Sequence, residues 1–268
     1  LNQRLEPTSG ETSKLRVTLL GTGTSQGVPV IGCHCDVCSS SDPRDQRLRS
    51  SVLLRKNDTS VVIDIGPDFR QQMLKFKVDK IEGIAITHEH NDHVIGLDEV
   101  RPFNYQLQRP VNVYAEDRVL RELRTRFAYA FVVQRVSGLP EIELSSIEPG
   151  EAFTIGDITL LPIRILHGQL PILGFRVDDF TYLTDVKYID PLSIEAIKGS
   201  KVVVISALHH RPHHSHITLT EAIEMAEKLG APQTYFTHIS HQMGKYTDVN
   251  PMLPEGTALA YDGLELVL

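Results

Sequence analysis

Apolar residues recur along this chain in short bursts, separated by turns rich in Gly, Pro, Asp and Asn. Bursts of that length read as strands, and the longer amphipathic stretches between them as helices. Residues 15–20 predict the first strand, followed by a glycine-rich turn over 21–27. Residues 51–54 and 60–64 predict paired strands around Asn57-Asp58. Pro67 and Asp68 open a helix running to about Phe76. Residues 81–87 predict a strand, with a helix-like run from Val94; a strand over 111–115 and a charged helix over 117–127 follow. Strands are expected over 142–148 and 154–162, the latter continuing through 163–167 to a turn at Gly168. Residues 174–177 and 181–184 pair around Asp178-Asp179, and 201–206 read as a buried strand. Thr218 and Glu221 have the spacing of a capping box, for a helix ending at Gly230 before Pro232. Residues 234–237 predict a strand, and 259–261 with 264–268 a closing hairpin around Asp262-Gly263. Strands thus come in runs with helices between them, an α/β (α+β) order that suits two similar halves facing each other.

The ligand-type residues cluster just after these strands: Asp64, His88, His167, Asp185, His209 and His238. Short loops at strand ends are where a rigid sheet presents reactive groups. The densest group is Thr87-His88-Glu89-His90-Asn91-Asp92-His93. Neutral imidazoles and a carboxylate crowded together call for a shared cation. His88 and His90 alternate, so in an extended loop they point the same way. Asp92 and His93 are adjacent and need a turn to converge. That split suits two metal ions about 3.5–4 Å apart, one held by His88 and His90, the other by Asp92 and His93.

Composition narrows the function. The 268-residue chain carries a net charge of −7 and a pI near 5.9, which argues against a broad grip on nucleic acid. No apolar run reaches membrane-spanning length, and the polar start lacks a signal-peptide core. A cytoplasmic protein is expected, with a flexible segment over 1–14 and a single domain over 15–268. All three cysteines fall in Cys33-His34-Cys35-Asp36-Val37-Cys38. An odd, clustered set is no disulfide framework and points to zinc. The fourth ligand is either His34 or a residue from elsewhere, and structural zinc usually joins separate segments. The turn Gly21-Thr22-Gly23-Thr24-Ser25-Gln26-Gly27 is GxGxxxG, and Pro29 follows where a dinucleotide-binding helix would start, so no nucleotide cofactor is expected.

The order His88-x-His90-x-Asp92-His93, then His167, Asp185 and His238, resembles the metallo-β-lactamase fold hydrolases. The resemblance implies a four-layer αββα sandwich with a dinuclear site at one edge. It makes His167 the third ligand of the first metal, Asp185 the bridging carboxylate and His238 the last ligand of the second. The glycine turn, the CxCxxC knuckle and Thr237-His238-Ile239-Ser240-His241-Gln242 resemble, more closely, the PhnP-like phosphoribosyl cyclic phosphate phosphodiesterases. That likeness implies that His241 completes a structural zinc with Cys33, Cys35 and Cys38. His216, just before the capped helix, resembles the family histidine that touches the scissile phosphate and protonates the leaving oxygen. Catalysis then falls to His216 and Asp92, with Asp64 orienting a ligand imidazole.

The activity implied is hydrolysis of a small cyclic phosphodiester, such as a ribosyl cyclic phosphate, by a hydroxide shared between two zinc or manganese ions. Three rival readings share the fold. A di-iron oxidoreductase needs a carboxylate where His90 stands. A tRNA 3′-end-processing nuclease normally adds a basic arm not evident here. A PqqB-like cofactor-biosynthesis protein would lack a dinuclear ligand. A homodimer is compatible with the family. His209, His210, His213 and His214 receive no role, and Arg211 is a candidate phosphate contact.

Overall fold

The structure, a computed structural model, describes residues 14–132 and 138–268. All but one residue of the segment expected to be flexible, 1–13, lies outside the described residues. Six strands come first: β1 (Arg16–Gly21), β2 (Ser51–Lys56), β3 (Thr59–Ile63), β4 (Gly83–Ala85), β5 (Val111–Ala115) and β6 (Ile142–Ser146). Then follow β7 (Phe153–Ile155), β8 (Ile158–His167), β9 (Leu170–Val177), β10 (Phe180–Leu183), β11 (Val202–Ser206), β12 (Gln233–Thr237), β13 (Thr257–Leu259) and β14 (Glu265–Val267). Helices α1 (Phe69–Lys75), α2 (Asn91–Val94), α3 (Arg101–Leu107) and α4 (Asp117–Arg126) lie among the first strands; α5 (Pro191–Ile197), α6 (Leu219–Leu229) and α7 (Tyr246–Val249) lie among the later ones.

These strands form two seven-stranded sheets, ordered β14-β1-β2-β3-β4-β5-β6 and β13-β12-β11-β10-β9-β8-β7. In the first, β1 to β3 are antiparallel and β3 to β6 parallel. The second repeats the plan: β7 to β10 antiparallel, β10 to β13 parallel. Tight turns join β2 to β3 and each strand from β7 to β10, helices make the parallel crossovers, and among consecutive antiparallel strands only β1 and β2 are joined by a long segment, 22–50.

Strand alternation sorts the core into layers. On β3, Val61 and Ile63 face the other sheet with Leu19, Val52 and Leu54, meeting Phe175, Phe180 and Tyr182. Val62, between them, points outward with Leu53 and Ile84 against Phe69, Phe103 and Leu123 of the first helical layer. Leu183, Val203 and Ile205 do the same on the far side, against Ile194, Ile197 and Ala222. The architecture is an αββα sandwich of the metallo-β-lactamase type, as the family resemblance implied.

Several expected elements change. The closing hairpin does not form: β13 pairs with β12 in one sheet, and β14 pairs with β1 in the other. The Asp262-Gly263 turn carries the chain between sheets, and Asp262 is held there by Thr22 N, Thr22 Oγ1 and Leu48 N at 2.7–2.9 Å. The strand expected over 154–162 is cut at Gly156-Asp157 into β7 and β8. Only Gly83–Ala85 of 81–87 pairs on both sides. The run from Val94 is not one helix: the single turn α2 ends at Val94, and a 3-10 segment, Ile95–Val100, leads to α3. The capping box on α6 forms as expected: Thr218 Oγ1 accepts from Glu221 N at 3.2 Å, and Glu221 Oε2 accepts from Thr218 N at 2.7 Å. No helix among the described residues is long and apolar enough to cross a membrane.

Candidate metal centre and active site

The ligand-type residues gather where strands of both sheets end. Asp64, Asp185 and His238 each sit one or two residues beyond a strand, and all three have positive φ, of 63°, 57° and 55°. A non-glycine residue in the left-handed region is costly and marks a backbone held for a purpose. Here the sharp exit from β3, β10 and β12 turns each side chain back over the sheet edge. The His88 loop leaves β4, and Asp92 and His93 occupy the first turn of α2. That helical turn lets adjacent residues converge. It is packed tightly against the exit of β3: Ile65 N donates to His93 O at 2.7 Å, and a Cβ on Gly66 would lie 2.1 Å from Asp92 O. Glycine is required there by close approach.

All seven residues expected at the dinuclear site come together. The ligand atoms of His88, His90 and His167 lie within 4.8 Å of one another, as do those of Asp92, His93 and His238. Asp185 lies between the two groups: its Oδ2 is 3.2 Å from His93 Nε2, and its Oδ1 is 3.2 Å from His238 Nε2. Asp92 Oδ2 is 3.3 Å from His93 Nε2.

The outward nitrogens of four imidazoles are held by neighbours. His167 Nδ1 donates to the Ser215 carbonyl at 2.8 Å, so its Nε2 carries the lone pair. His93 Nδ1 is held by Asp64 at 2.7 Å. Thr87 Oγ1 lies 2.9 Å from His88 Nδ1 and also 2.9 Å from Asp64 Oδ2. His238 Nδ1 lies 3.2 Å from Ser50 Oγ. Such outer contacts fix the tautomer that turns a lone pair inward. His88 Nε2 and His90 Nδ1 then face each other at 3.0 Å, and His93 Nε2 is buried without a hydrogen-bond partner among the described residues. This donor set fits divalent cations: imidazole nitrogens and carboxylates converge with their lone pairs unspent.

Charge supports the same picture. Burial, with His93 beside it, holds the His88 imidazole well below its ordinary value, and burial also lowers His90 and His238. Burial opposes the charged form of His93 too, but Asp92, Asp64 and Asp185 outweigh it and hold that ring well above its usual range. Burial would raise Asp185, yet His238 and His93 hold it well below. Neutral His88, His90 and His238 beside an ionised Asp185 are in the protonation states metal ligands need, whereas His93 has to give up its proton to a cation, so metal binding there releases a proton.

His216 lies at the same edge, its ring 4.5 Å from that of His167 and 5.0 Å from that of His238. Its Nδ1 is 3.8 Å from Asp185 Oδ1, too far for a hydrogen bond, and is buried without a partner among the described residues. Of the other histidines in that loop, His210 Nε2 donates to Met243 O at 2.8 Å, which pins the loop to the segment after His241. His213 contacts Ser215 at 3.3 Å, and His214 packs its ring on His213 at 4.4 Å.

Apart from this centre, Cys33, Cys35 and Cys38 surround His241 Nδ1 at 3.3, 3.4 and 3.5 Å. Ordinary zinc–sulfur and zinc–nitrogen bond lengths put a tetrahedral edge at about 3.5 Å, so the set fits a closed zinc site. His34 is exposed and outside the group. The amide of Cys38 draws the Cys35 thiol down to about 6, while burial pushes Cys38 up to about 11. The two thiols are thus pushed apart, and a cation between them would favour the thiolate at both.

The family model described as the beta-lactamase superfamily domain matches residues 59–239. A crystal structure of a diphosphatase from the PhnP family superposes with a TM-score of 0.89 at 41% identity, over 95% of this chain and 97% of that one. The chain belongs to the PhnP family of the metallo-β-lactamase fold hydrolases. A curated relative from Porphyromonas gingivalis, named octanoyltransferase, is 40% identical over 256 residues. That match takes in 95% of this chain but 52% of the relative, so the chain spans about half that protein's length. Zinc-bound PqqB from Methylobacterium extorquens shares the fold, with a TM-score of 0.78 at 17% identity over 94% of this chain and 100% of that one.

Sequence reading of this PhnP-family chain missed the supports. Thr24 and Ser50 flank His238; only the glycine turn around Thr24 hinted at either. Arg118 and Arg126, on α4, carried no signal. Arg118 pairs with the Glu89 carboxylate and donates to Pro171 O at 2.6 Å, joining the His88–His90 loop to the start of β9. Arg126 donates to the Glu89 carbonyl and to Asn91 Oδ1 at 2.9 Å. Arg118→Ala is expected to weaken divalent-metal binding about tenfold, the scale seen when outer partners of ligands are removed. Competition with a chromophoric chelator measures it, and Arg118→Lys should recover only part, since one ammonium cannot make both contacts.

Proposed function

We propose that this chain hydrolyses a small phosphodiester, with a ribosyl cyclic phosphate as the substrate of choice. The observation that carries the reading is the buried Nδ1 of His216, without a hydrogen-bond partner among the described residues, beside a convergent set of seven ligand-type side chains. In this reading His88, His90 and His167 would hold one divalent metal and Asp92, His93 and His238 the other, with Asp185 between the two groups. Zinc or manganese suits such mixed imidazole and carboxylate donors. Cys33, Cys35, Cys38 and His241 hold a structural zinc. When bound, the catalytic pair supplies an activated water and a Lewis acid for the phosphoryl oxygens.

The chain's own residues do the rest. Water adds to phosphorus, one ester P–O bond breaks, and the departing oxygen takes a proton. Burial holds the His216 imidazole down to about 2, so the free protein presents it neutral. An anionic phosphodiester beside it favours the charged form, which gives His216 a proton to place on the leaving oxygen. Asp92 joins His216 as a catalytic residue through its contact with His93. Asp64 orients His93, and Thr87 orients His88.

The substrate is a small molecule in this reading, the chain's net charge of −7 argues against a nucleic-acid partner, and a cytoplasmic homodimer is the proposed state. The name of the Porphyromonas gingivalis relative points to acyl transfer instead. Covalent acyl transfer needs an activated nucleophile, and the chain's three cysteines all surround His241.

The test is hydrolysis of ribose cyclic phosphate, bis(p-nitrophenyl) phosphate and a diphosphate diester by zinc- or manganese-loaded protein. Cleavage of the first two, lost in chelator, is expected. Fully loaded protein that cleaves neither overturns the proposal; preference for the third moves the activity to diphosphate hydrolysis.

A further inference from the structure

The glycine turn ahead of the cysteine knuckle is built into the candidate site. Gly23 bridges to Arg49, just before β2, and to Ile239, just after β12, so the turn is clamped between strands of both sheets. A Cβ on Gly21 would lie 2.0 Å from Arg49 O, and one on Gly23 2.9 Å from Arg47 O. Close approach requires glycine at both positions. Thr24 N donates to Ile239 O at 3.2 Å, and Gly27 N to Thr24 O at 2.8 Å. This clamped turn brings one hydroxyl to the histidine cluster. Thr24 is 8% exposed, and its Oγ1 lies 3.1 Å from His238 Nε2.

Hydrogen accounting gives that contact a direction. Ser50 Oγ donates its single hydrogen to Gly23 O at 3.0 Å, so toward His238 Nδ1, at 3.2 Å, it accepts. Thr184 Oγ1 likewise donates to Asp185 Oδ2 at 2.6 Å and sits 3.4 Å from the same nitrogen. His238 therefore carries its hydrogen on Nδ1 and a lone pair on Nε2. The Thr24 hydroxyl is the donor to that lone pair. Nε2 is also the nitrogen on the cluster side of the ring, 3.2 Å from Asp185 Oδ1.

A lone pair serves a hydrogen or a cation, not both. Giving the His238 Nε2 lone pair to a cation would leave the Thr24 hydrogen without its acceptor, while the clamped backbone keeps the residue in place. Among the described residues, Thr24 Oγ1 has no other side-chain partner. A neutral hydroxyl is not among the ordinary zinc ligands, so it acts as a donor. Neighbouring donors of a tetrahedral ion with bonds of about 2.0–2.1 Å stand roughly 3.3–3.4 Å apart, close to the 3.1 Å between Thr24 Oγ1 and His238 Nε2. The acceptor it meets is therefore an oxygen at the edge of the coordination sphere. Thr24 also borders a surface cleft, so an oxygen of a bound molecule can reach it.

We propose that Thr24 is a catalytic residue: in the metal-loaded protein its hydroxyl donates a hydrogen bond to a non-bridging oxygen of the phosphoryl group, where negative charge gathers during cleavage. The inference rests on the phosphodiesterase reading and deepens it. The test uses metal-loaded full chain as wild type, as Thr24→Val and Thr24→Ala, which remove the hydroxyl, and as Thr24→Ser, which keeps it. In calorimetric titration with inorganic phosphate, the valine and alanine variants should bind at least about tenfold more weakly than wild type, the scale of one hydrogen bond to a charged group, and the serine variant within about threefold. The kcat/KM for bis(p-nitrophenyl) phosphate should follow the same order. Zinc affinity, measured by competition with a chromophoric chelator, should not fall in Thr24→Val, because the hydroxyl competes for the Nε2 lone pair. That readout separates Thr24 from a residue that only supports the ligands. Wild type without measurable phosphate affinity, phosphate affinity unchanged in Thr24→Val, or zinc affinity falling in step with it, overturns the proposal. Wild type that cleaves no phosphodiester yet binds phosphate through the Thr24 hydroxyl overturns the phosphodiesterase reading alone.

Discussion

Replacing Asp185 with alanine or asparagine is expected to lower phosphodiester turnover by more than about 100-fold while far-ultraviolet circular dichroism stays unchanged. Loss of a partner merely touching a ligand costs about 10–100-fold, and Asp185 touches both halves of the cluster, at 3.2 Å from His93 Nε2 and from His238 Nε2. It is also one of three carboxylates that hold the buried His93 ring charged. Asparagine keeps the shape but removes the charge. It also tolerates the positive φ of 57° at this position better than alanine, for which the left-handed region costs about 1–2 kcal/mol. The two variants together separate a lost ligand from a strained backbone. Equal, near-normal turnover in both would show that Asp185 holds no metal.

Purified protein is expected to carry about three metals per chain by elemental analysis, and they should divide two to one. A carboxylate chelator should remove two, with loss of all turnover, because the histidine cluster opens to solvent at His90, which is exposed. Turnover should return on adding zinc or manganese. The third should resist the chelator and leave only with a thiol-reactive mercurial, since Cys33, Cys35, Cys38 and His241 leave no open position for attack. Its release should also lower the melting temperature, because a metal that binds only the folded state stabilises it by mass action. A protein fully active after exhaustive chelation, with no metal in the histidine cluster, would end the dinuclear assignment.

Part of the candidate site was legible because its residues occur in bursts, while His167, Asp185, His238 and His241, scattered along the chain, came from the family resemblance. His88, His90, Asp92 and His93 fall within six positions, and the three cysteines within another six. Crowded donors are unusual enough to be noticed without coordinates. The partners that tune them were not legible. Ser50 meets His238 across 188 positions, Arg118 meets Glu89 across 29, and the Ser215 carbonyl meets His167 across 48. A serine, an arginine and a backbone carbonyl are common everywhere, so no pattern distinguishes these three from any others. The closing hairpin failed for a related reason. Asp262-Gly263 has hairpin chemistry, but local turn preference is weak beside the edge pairing available to β13 and β14 on two different sheets.

Alternating apolar bursts and the capping box on α6 were enough to establish two runs of strands with helices between them, because side-chain period and end chemistry act over a few residues. The donors of both candidate metal sites were likewise written in the chain. Folding added the distances: it brought residues 88 to 238 to one sheet edge, turned Asp64, Asp185 and His238 inward through left-handed exits, and set Thr24 beside His238. Those relations depend on how two sheets pack face to face, and packing joins residues whose separation along the chain carries no information about it.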